Sequence, residues 1–435
     1  MNKKLNIRSM AIEAIDLISR KNAFSNNIIQ EKVKDISDIR DKNLFRELVY
    51  GTTENLIYID YIIRKLSSIR LKKIDNFVLD AMRLAIYEML FLRIETYATI
   101  NEYVELVKNE KNKKLANFVN ANLRNFDNDK KNLSKVQLED SIENIATRYS
   151  YNIDIVNYLI DSYGFEEAKE IIKAMYKTPS LSARVNTMKI DKKDLFKLLS
   201  DKGFIILDSE ISDDGFIVEN PSSIILTDEF KNGLFTIQDQ GSIKVSEILS
   251  PSQDSKVLDL CAAPGSKSSH LAQLSKDRSL IVANDISKEK LHKIEENFTR
   301  LGFSNYRIDN FDATVKIPDY IDKFDYVLVD APCSGLGVIS RKPEIKLFRT
   351  YDDIKSLAAI QKEILYNAAN YIKTGGSLVY STCTLGPLEN EEIINEFLND
   401  FDFKIEKIGQ EDSLSILPHL NKSDGFYICK MTRIS

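Results

Sequence analysis

Two cysteines stand where a reactive thiol would be expected. Cys383 lies between two threonines in STCTLGPLENEE, directly after the apolar run SLVY, and Cys333 closes DAPC three residues after Asp330. A buried, inert thiol is the commonest fate of a free cysteine. The alternative is pyrimidine chemistry. C5 of a pyrimidine is a poor nucleophile until a thiolate adds to C6 and makes the ring enamine-like. A base must then remove the C5 proton so that the thiol can leave. A cytosine also needs an acidic group at its N3 and N4 edge during the addition. Cys383, Cys333 and Asp330 supply a nucleophile, a helper and an acid.

Other acids recur at the ends of apolar runs: Asp259, Asp285 and Asp312. Each alone could cap a helix. Together with the small-residue loop Cys261, Ala262, Ala263, Pro264, Gly265, Ser266 and Lys267, they suggest a nucleoside-bearing cofactor. Small residues admit a ligand to the backbone, amides at a helix start meet a carboxylate or phosphate, and an acid ending the second strand takes a ribose diol. The loop is neither GxGxxG nor a Walker A sequence. S-adenosylmethionine fits better than a dinucleotide, with Asp285 on its ribose, Asp312 on its adenine and the loop on its amino-acid tail. Metal is not expected. Cys261, Cys333, Cys383 and Cys429 form no CxxC pair, and His270, His292 and His419 lack ligand spacing.

These residues need a sheet to align them. From Ser242 onward, strand-like runs (SKVLDLC, SLIVAND, FDYVLVD, GSLVYST, GFYICKM) alternate with helical ones, which implies a mostly parallel sheet covered on both faces. Ligands bind such sheets at the carboxyl ends of the strands. Gly375 is expected to end the long helix before GSLVYST. Residues 1–126 read as an all-helical domain, with Thr99 and Glu102 spaced as a capping box. The polar stretch 127–137 reads as a linker. Residues 138–241 read as a small helical and α/β subdomain whose character changes after Pro179, and 242–435 as the catalytic domain.

With 435 residues, 43% of them hydrophobic, the chain can build two or three cores. No apolar run is long enough for a membrane span, and MNKKLNIRSM lacks the features of a secretory signal. Four cysteines make no disulfide framework, so a reducing cytoplasm is expected. The net charge of −5 argues against a uniformly basic nucleic-acid binder. Residues 1–134 nevertheless carry 24 Lys and Arg against 18 Asp and Glu, and the rest 36 against 47. A basic lobe on an acidic body can still hold a polyanion locally.

CAAPGSKSSH, DAPCSGLGVISRKPEIK and STCTLGPLENEE resemble the signature motifs of RNA cytosine-C5 methyltransferases of the Sun/NOL1/NOP2 type. FTIQDQGS and DGFYICKM resemble the entry and closing strand of that catalytic domain. The amino-terminal block, including DKNLFRELVYGTTENLIYIDYII and FVNANLRN, resembles the NusB-like helical domain of the bacterial small-subunit rRNA enzymes in this family. The resemblance covers nearly the whole chain in order. It implies a class I, Rossmann-like methyltransferase domain using S-adenosylmethionine, with a small RNA-facing subdomain opened by RVN at Arg184 and Asn186. It also implies Cys383 as nucleophile, Cys333 as assistant, Asp330 at the cytosine edge, and Lys267 between cofactor and target. Arg341 and Lys342 are further candidates for phosphate contact. Ser266 stands where the family often has a second glycine, and Leu347 where it often has tryptophan; the chain has no tryptophan. The expected partner is small-subunit rRNA, as naked RNA or an assembly intermediate, and a monomer is expected. Methyl transfer to tRNA, and a non-enzymatic RNA-binding or antitermination module, are the alternatives.

Overall fold

The computed structural model describes residues 6–136, 140–177, 180–221 and 223–435. The first five residues, the boundary at 137–138 and Pro179 therefore lie outside the described residues. The chain divides into two compact units. One comprises residues 1–161 with 341–350, the other 162–340 with 351–435.

The first unit is all-helical. Helices Ile7–Lys21, Ile39–Glu54, Leu56–Leu66, Thr96–Glu110 and Lys113–Asn128 pack with Asn76–Phe91, which is buried along most of its length. Asn6, Asp75 and Asn112 cap three of them by accepting from amides of the first turn. The acids on the central helix are all paired. Asp80 meets Arg20 and Arg83, and Glu88 meets Arg8 and accepts from Tyr103. Breaking one such buried pair would leave an uncompensated charge.

Thr99 does not cap its helix, which begins three residues earlier at Thr96. Its hydroxyl is buried and donates to Glu88 Oε2. The expected linker is partly helical. Lys113–Asn128 runs into it, and Lys130–Leu133 adds a further turn, with Leu133 packed on the core and Tyr58 donating to the Ser134 carbonyl.

The second unit holds two sheets. The smaller is antiparallel, in the order β2 (Ile206–Asp208), β3 (Gly215–Val218), β1 (Leu181–Val185), β4 (Phe235–Ile237). The larger runs β10 (Phe403–Glu406), β12 (Phe426–Arg433), β9 (Ile372–Thr382), β8 (Phe324–Asp330), β5 (Lys256–Asp259), β6 (Leu280–Asn284), β7 (Tyr306–Asp309), with β11 (Leu414–Ile416) paired to β12. Strands β5 to β9 are mutually parallel, and β12 is antiparallel to β9.

Side chains alternate across this sheet. Val327, Val329, Leu378 and Tyr380 face helices Tyr351–Tyr371 and Glu391–Asp400. Leu328 and Val379 join the core under Gln240–Leu249, Ser266–Leu274 and Leu291–Leu301. The long helix ends at Tyr371, not at Gly375, because Ile372 already pairs with Phe324 and draws both glycines into β9. The helix Phe165–Met175 was not anticipated from the sequence. Chain order reverses between β8 and β5, and the crevice beyond their carboxyl ends is where such sheets take ligands.

Candidate active site

The sheet register builds the site. Asp330, the last residue of β8, lies opposite Ser381 of β9, whose hydroxyl donates to Asp330 Oδ1 at 2.9 Å. Cys333 and Cys383 follow these two residues into the crevice, and their sulfurs stand 3.3 Å apart in hydrogen-bond contact. That contact, then burial, pushes the Cys333 thiol well above its ordinary range, so it keeps its proton. Lys267 Nζ donates to Asp330 Oδ2 at 2.7 Å and lies over the Phe426 ring. Burial lowers the Lys267 ammonium, but Asp330 outweighs it and the net shift is upward; the charge of Cys383 acts in the same direction. A fixed cation thus lies near the thiol pair.

The Cys261–Lys267 loop joins β5 to the helix Ser266–Leu274. Gly265 takes φ +94, a conformation that favours glycine, and a Cβ there would stand 3.1 Å from Ile294 Cα, a tight approach. Ala263 N donates to Asp285 Oδ2 and Ser287 N to Asp285 Oδ1. Asp312 accepts from the amide and hydroxyl of Thr314. Burial, then Asp259, Asp330, Asp285 and Asp312, push the Cys261 thiol far up. Asp259, Asp285 and Asp330 at strand ends therefore converge on one loop with Asp312, which lies three residues beyond the end of β7 and not at a strand end as expected.

Asp259 is the structural member of this set. It is fully buried and accepts from Ser268 Oγ at 2.6 Å. Burial pushes its carboxyl up to about 7 from 3.8. The native state holds this proton to higher pH than the unfolded chain does. Its contribution to stability is therefore full in acid and is lost as pH rises from about 4 to about 7. In urea unfolding, the stability of the natural protein relative to Asp259→Asn should fall between pH 5 and pH 8. A difference that stays flat with pH would remove this account.

Two of the expected RNA contacts are corrected. Arg184 and Asn186 are fully buried. Arg184 donates to Gln238 Oε1 (2.7 Å), to the Ser266 carbonyl (2.8 Å) and to Ser269 Oγ (3.2 Å), tying the small sheet to the first turn after the loop. Burial among these neutral acceptors lowers its guanidinium to about 9. Asn186 donates to the carbonyls of Gly233 and Leu301. Neither side chain is open to a phosphate. Arg184→Ala should cost roughly 3 kcal/mol in urea unfolding, from the cavity and the abandoned acceptors; a loss under about 1 kcal/mol would contradict that role. Arg341 is half-buried and Lys342 exposed, and both belong to the first unit, where the Arg341 carbonyl accepts from Tyr50 and Asn26. Leu347 is buried in the same segment.

Three family models match the chain in succession. The family described as 16S rRNA methyltransferase RsmB/F matches residues 246–432, the NusB family 5–128, and the ferredoxin-like domain of RsmF/B-type methyltransferases 155–225. The probable ribosomal RNA small subunit methyltransferase B of Bacillus subtilis is 36% identical over 99% of both chains. The chain belongs to the RsmB/F family of methyltransferases. The small subunit methyltransferase B of Escherichia coli K12 is 30% identical over the full length of both chains. The crystal structure of PH0851 shares the fold, with a TM-score of 0.82 at 23% identity over 99% of each chain. A methyltransferase homologue from Pyrococcus horikoshii is 32% identical, with a TM-score of 0.61, over 68% of this chain and all of that one.

Family membership makes the chain an enzyme, and the antitermination-module alternative falls away. The NusB-like and Rossmann-like parts occur in the expected order, and the small subdomain expected between them matches a ferredoxin-like domain. Sequence reasoning missed Ser381 as a partner of Asp330, and Glu389 altogether. Serine beside the cysteine is a readable signal once the strand register is known. Glu389 looks like any acid at the start of a helix.

Proposed function

We propose that this enzyme methylates C5 of a cytosine in small-subunit rRNA, using S-adenosylmethionine and a covalent bond from Cys383 to C6 of the base. The observation that carries the reading is the thiol pair at the ends of adjacent strands, 3.3 Å apart and close to the Lys267–Asp330 pair. The small-subunit names of full-length relatives support the substrate.

The donor set suits this cofactor. Asp285 and Asp312 have no cationic partner among the described residues and accept only from amides and a hydroxyl. A carboxylate at the end of β6 suits a ribose diol, and the surplus negative charge suits a cationic ligand. When bound, S-adenosylmethionine supplies the electrophilic methyl group. The Cys261–Lys267 loop, Asp285 and Asp312 would hold it.

The remaining steps belong to this chain. Cys333 keeps its proton and donates to Cys383, and Lys267 adds positive charge nearby; both favour the thiolate on Cys383. Asp330, fixed by Ser381 and Lys267, faces the base edge and steadies the charge that develops on addition. After C5 has been methylated, its proton must leave before the bond from Cys383 can break. Cys333 no longer faces a thiolate at that stage; it can give up its own proton to solvent and accept the C5 proton, and the C–S electrons return to Cys383 as the C5–C6 double bond re-forms. The base has to leave the RNA stack to reach this crevice, and exposed Lys342 is available to a phosphate.

Transfer of labelled methyl to unmodified small-subunit rRNA, followed by nucleoside analysis, tests the reading. A single mapped 5-methylcytosine is expected. Label confined to tRNA would overturn the substrate, and label on any other atom would overturn the chemistry.

A further inference from the structure

The acids that follow Cys383 include one that never reaches solvent. Glu389, at the end of the turn Pro387–Glu389, is fully buried, and no lysine or arginine pairs with it among the described residues. A carboxylate in that position is costly unless hydrogen bonds satisfy it. Its partners are specific. Oε1 accepts from Ser334 N at 2.8 Å and Gln361 Nε2 at 2.9 Å. Oε2 accepts from the Ser334 hydroxyl and stands 3.4 Å from Thr384 Oγ1.

Ser334 directly follows Cys333, and Thr384 directly follows Cys383. The two hydroxyls have one proton each: Ser334 donates to Glu389, and Thr384 donates to Ser334 Oγ at 2.6 Å in preference to the 3.4 Å carboxylate contact. Gln361 donates from the same amide nitrogen to the Pro332 carbonyl, the residue before Cys333. Glu389 therefore touches neither sulfur, yet it holds the residue after Cys333 directly and the residue after Cys383 through the Ser334 hydroxyl.

We propose that Glu389 is a positioning residue that clamps the Cys333 and Cys383 loops together and so sets the distance between the two thiols. The consequence for catalysis rests on the assignment of those thiols as the reacting pair; the clamp itself does not. Three hydrogen bonds converging on one carboxylate, with Thr384 held to it through the Ser334 hydroxyl, fix their neighbours more tightly than the same bonds to separate acceptors would. Glutamine can replace it in shape. Its carbonyl would accept from Ser334 N and Gln361, and its amide would donate to the two hydroxyl oxygens. Alanine can do neither.

The test reads thiol proximity without RNA. Phenylarsine oxide condenses with two adjacent thiols, forming two As–S bonds and releasing one water. Capture by the full-length protein is followed by mass, with Cys383→Ser as the blank. Natural protein is expected to capture one arsenical. Glu389→Ala should capture it at least about tenfold more slowly, and Glu389→Gln within about threefold of the natural rate. If the Ala chain does not fold, Thr384→Val, which removes one hydroxyl at constant shape, should slow capture about fivefold. Methyl transfer is measured in parallel, and kcat for Glu389→Ala should fall by roughly a hundredfold while Kd for S-adenosylmethionine is unchanged. Natural-rate capture by the Ala or Val variant overturns the clamp, as does a Gln variant as slow as Ala or a natural protein that captures nothing. Slow capture by Ala with rapid capture by Gln, but no methyl transfer by the natural protein, supports the clamp and sinks the proposed reaction instead.

Discussion

Cys383→Ala is expected to abolish methyl transfer while leaving the protein folded. The thiol sits just beyond the end of β9, and the sheet register that places it depends on backbone pairing with β8 and β12. Alanine leaves that pairing intact. Unfolding free energy should change by no more than about 1 kcal/mol, as for a small truncation outside the deep core. Cofactor affinity should persist, because the loop after β5 and its acids are untouched. The chemical step has no alternative nucleophile. The contact with Cys383 is gone in this variant, but burial still pushes the Cys333 thiol up, and its loop follows a different strand. Turnover should therefore fall on the order of 10³-fold or more, as when a nucleophile is deleted from a preorganised site. Natural turnover in this variant would end the covalent mechanism.

Cys333→Ala should fail at the opposite end of the reaction. Addition by Cys383 still proceeds, with Lys267 and Asp330 in place. What the variant lacks is the group beside the Cys383 sulfur when the C5 proton must leave and the C–S bond must break. Methylated RNA should remain attached to protein, seen as a complex that survives denaturing electrophoresis. Turnover should stop near one methyl per chain. The double variant lacking both thiols should give no complex. Free product at the natural rate from Cys333→Ala would remove Cys333 from the mechanism, and loss of the first methyl transfer as well would move it to the addition step.

Much of this was legible in the residues. Apolar runs located four of the five parallel strands, β7 excepted, and acids at or just beyond strand ends located the crevice, because a parallel sheet aligns all its carboxyl ends. The thiol pair was legible for the same reason, since Cys333 and Cys383 each follow a strand end. What the sequence could not supply was partner choice. Arg184 and Lys342 are both basic residues in polar surroundings, yet one is buried against carbonyls and the other is exposed. Thr99 and Glu102 had the spacing of a cap, but tertiary pairing with Glu88 took the hydroxyl instead. Arg341–Thr350 lies far along the chain from the helices it joins, and no local pattern records that Glu344 accepts from Ser25. Glu389 is the sharpest case. Of the three acids in LENEE it is the buried one, and only the closeness of Ser334 and Thr384 distinguishes it.

The central claim is a covalent bond between Cys383 and a cytosine. Small-subunit RNA transcribed with 5-fluorocytidine has no C5 proton to lose, so after methyl transfer the adduct cannot resolve. Incubation with the full-length protein and S-adenosylmethionine, digestion, and peptide mass analysis then locate the attached nucleotide. The account predicts one fluorinated, methylated nucleotide on the peptide containing Cys383. Attachment at Cys333, or methylated RNA released with no adduct, would contradict it.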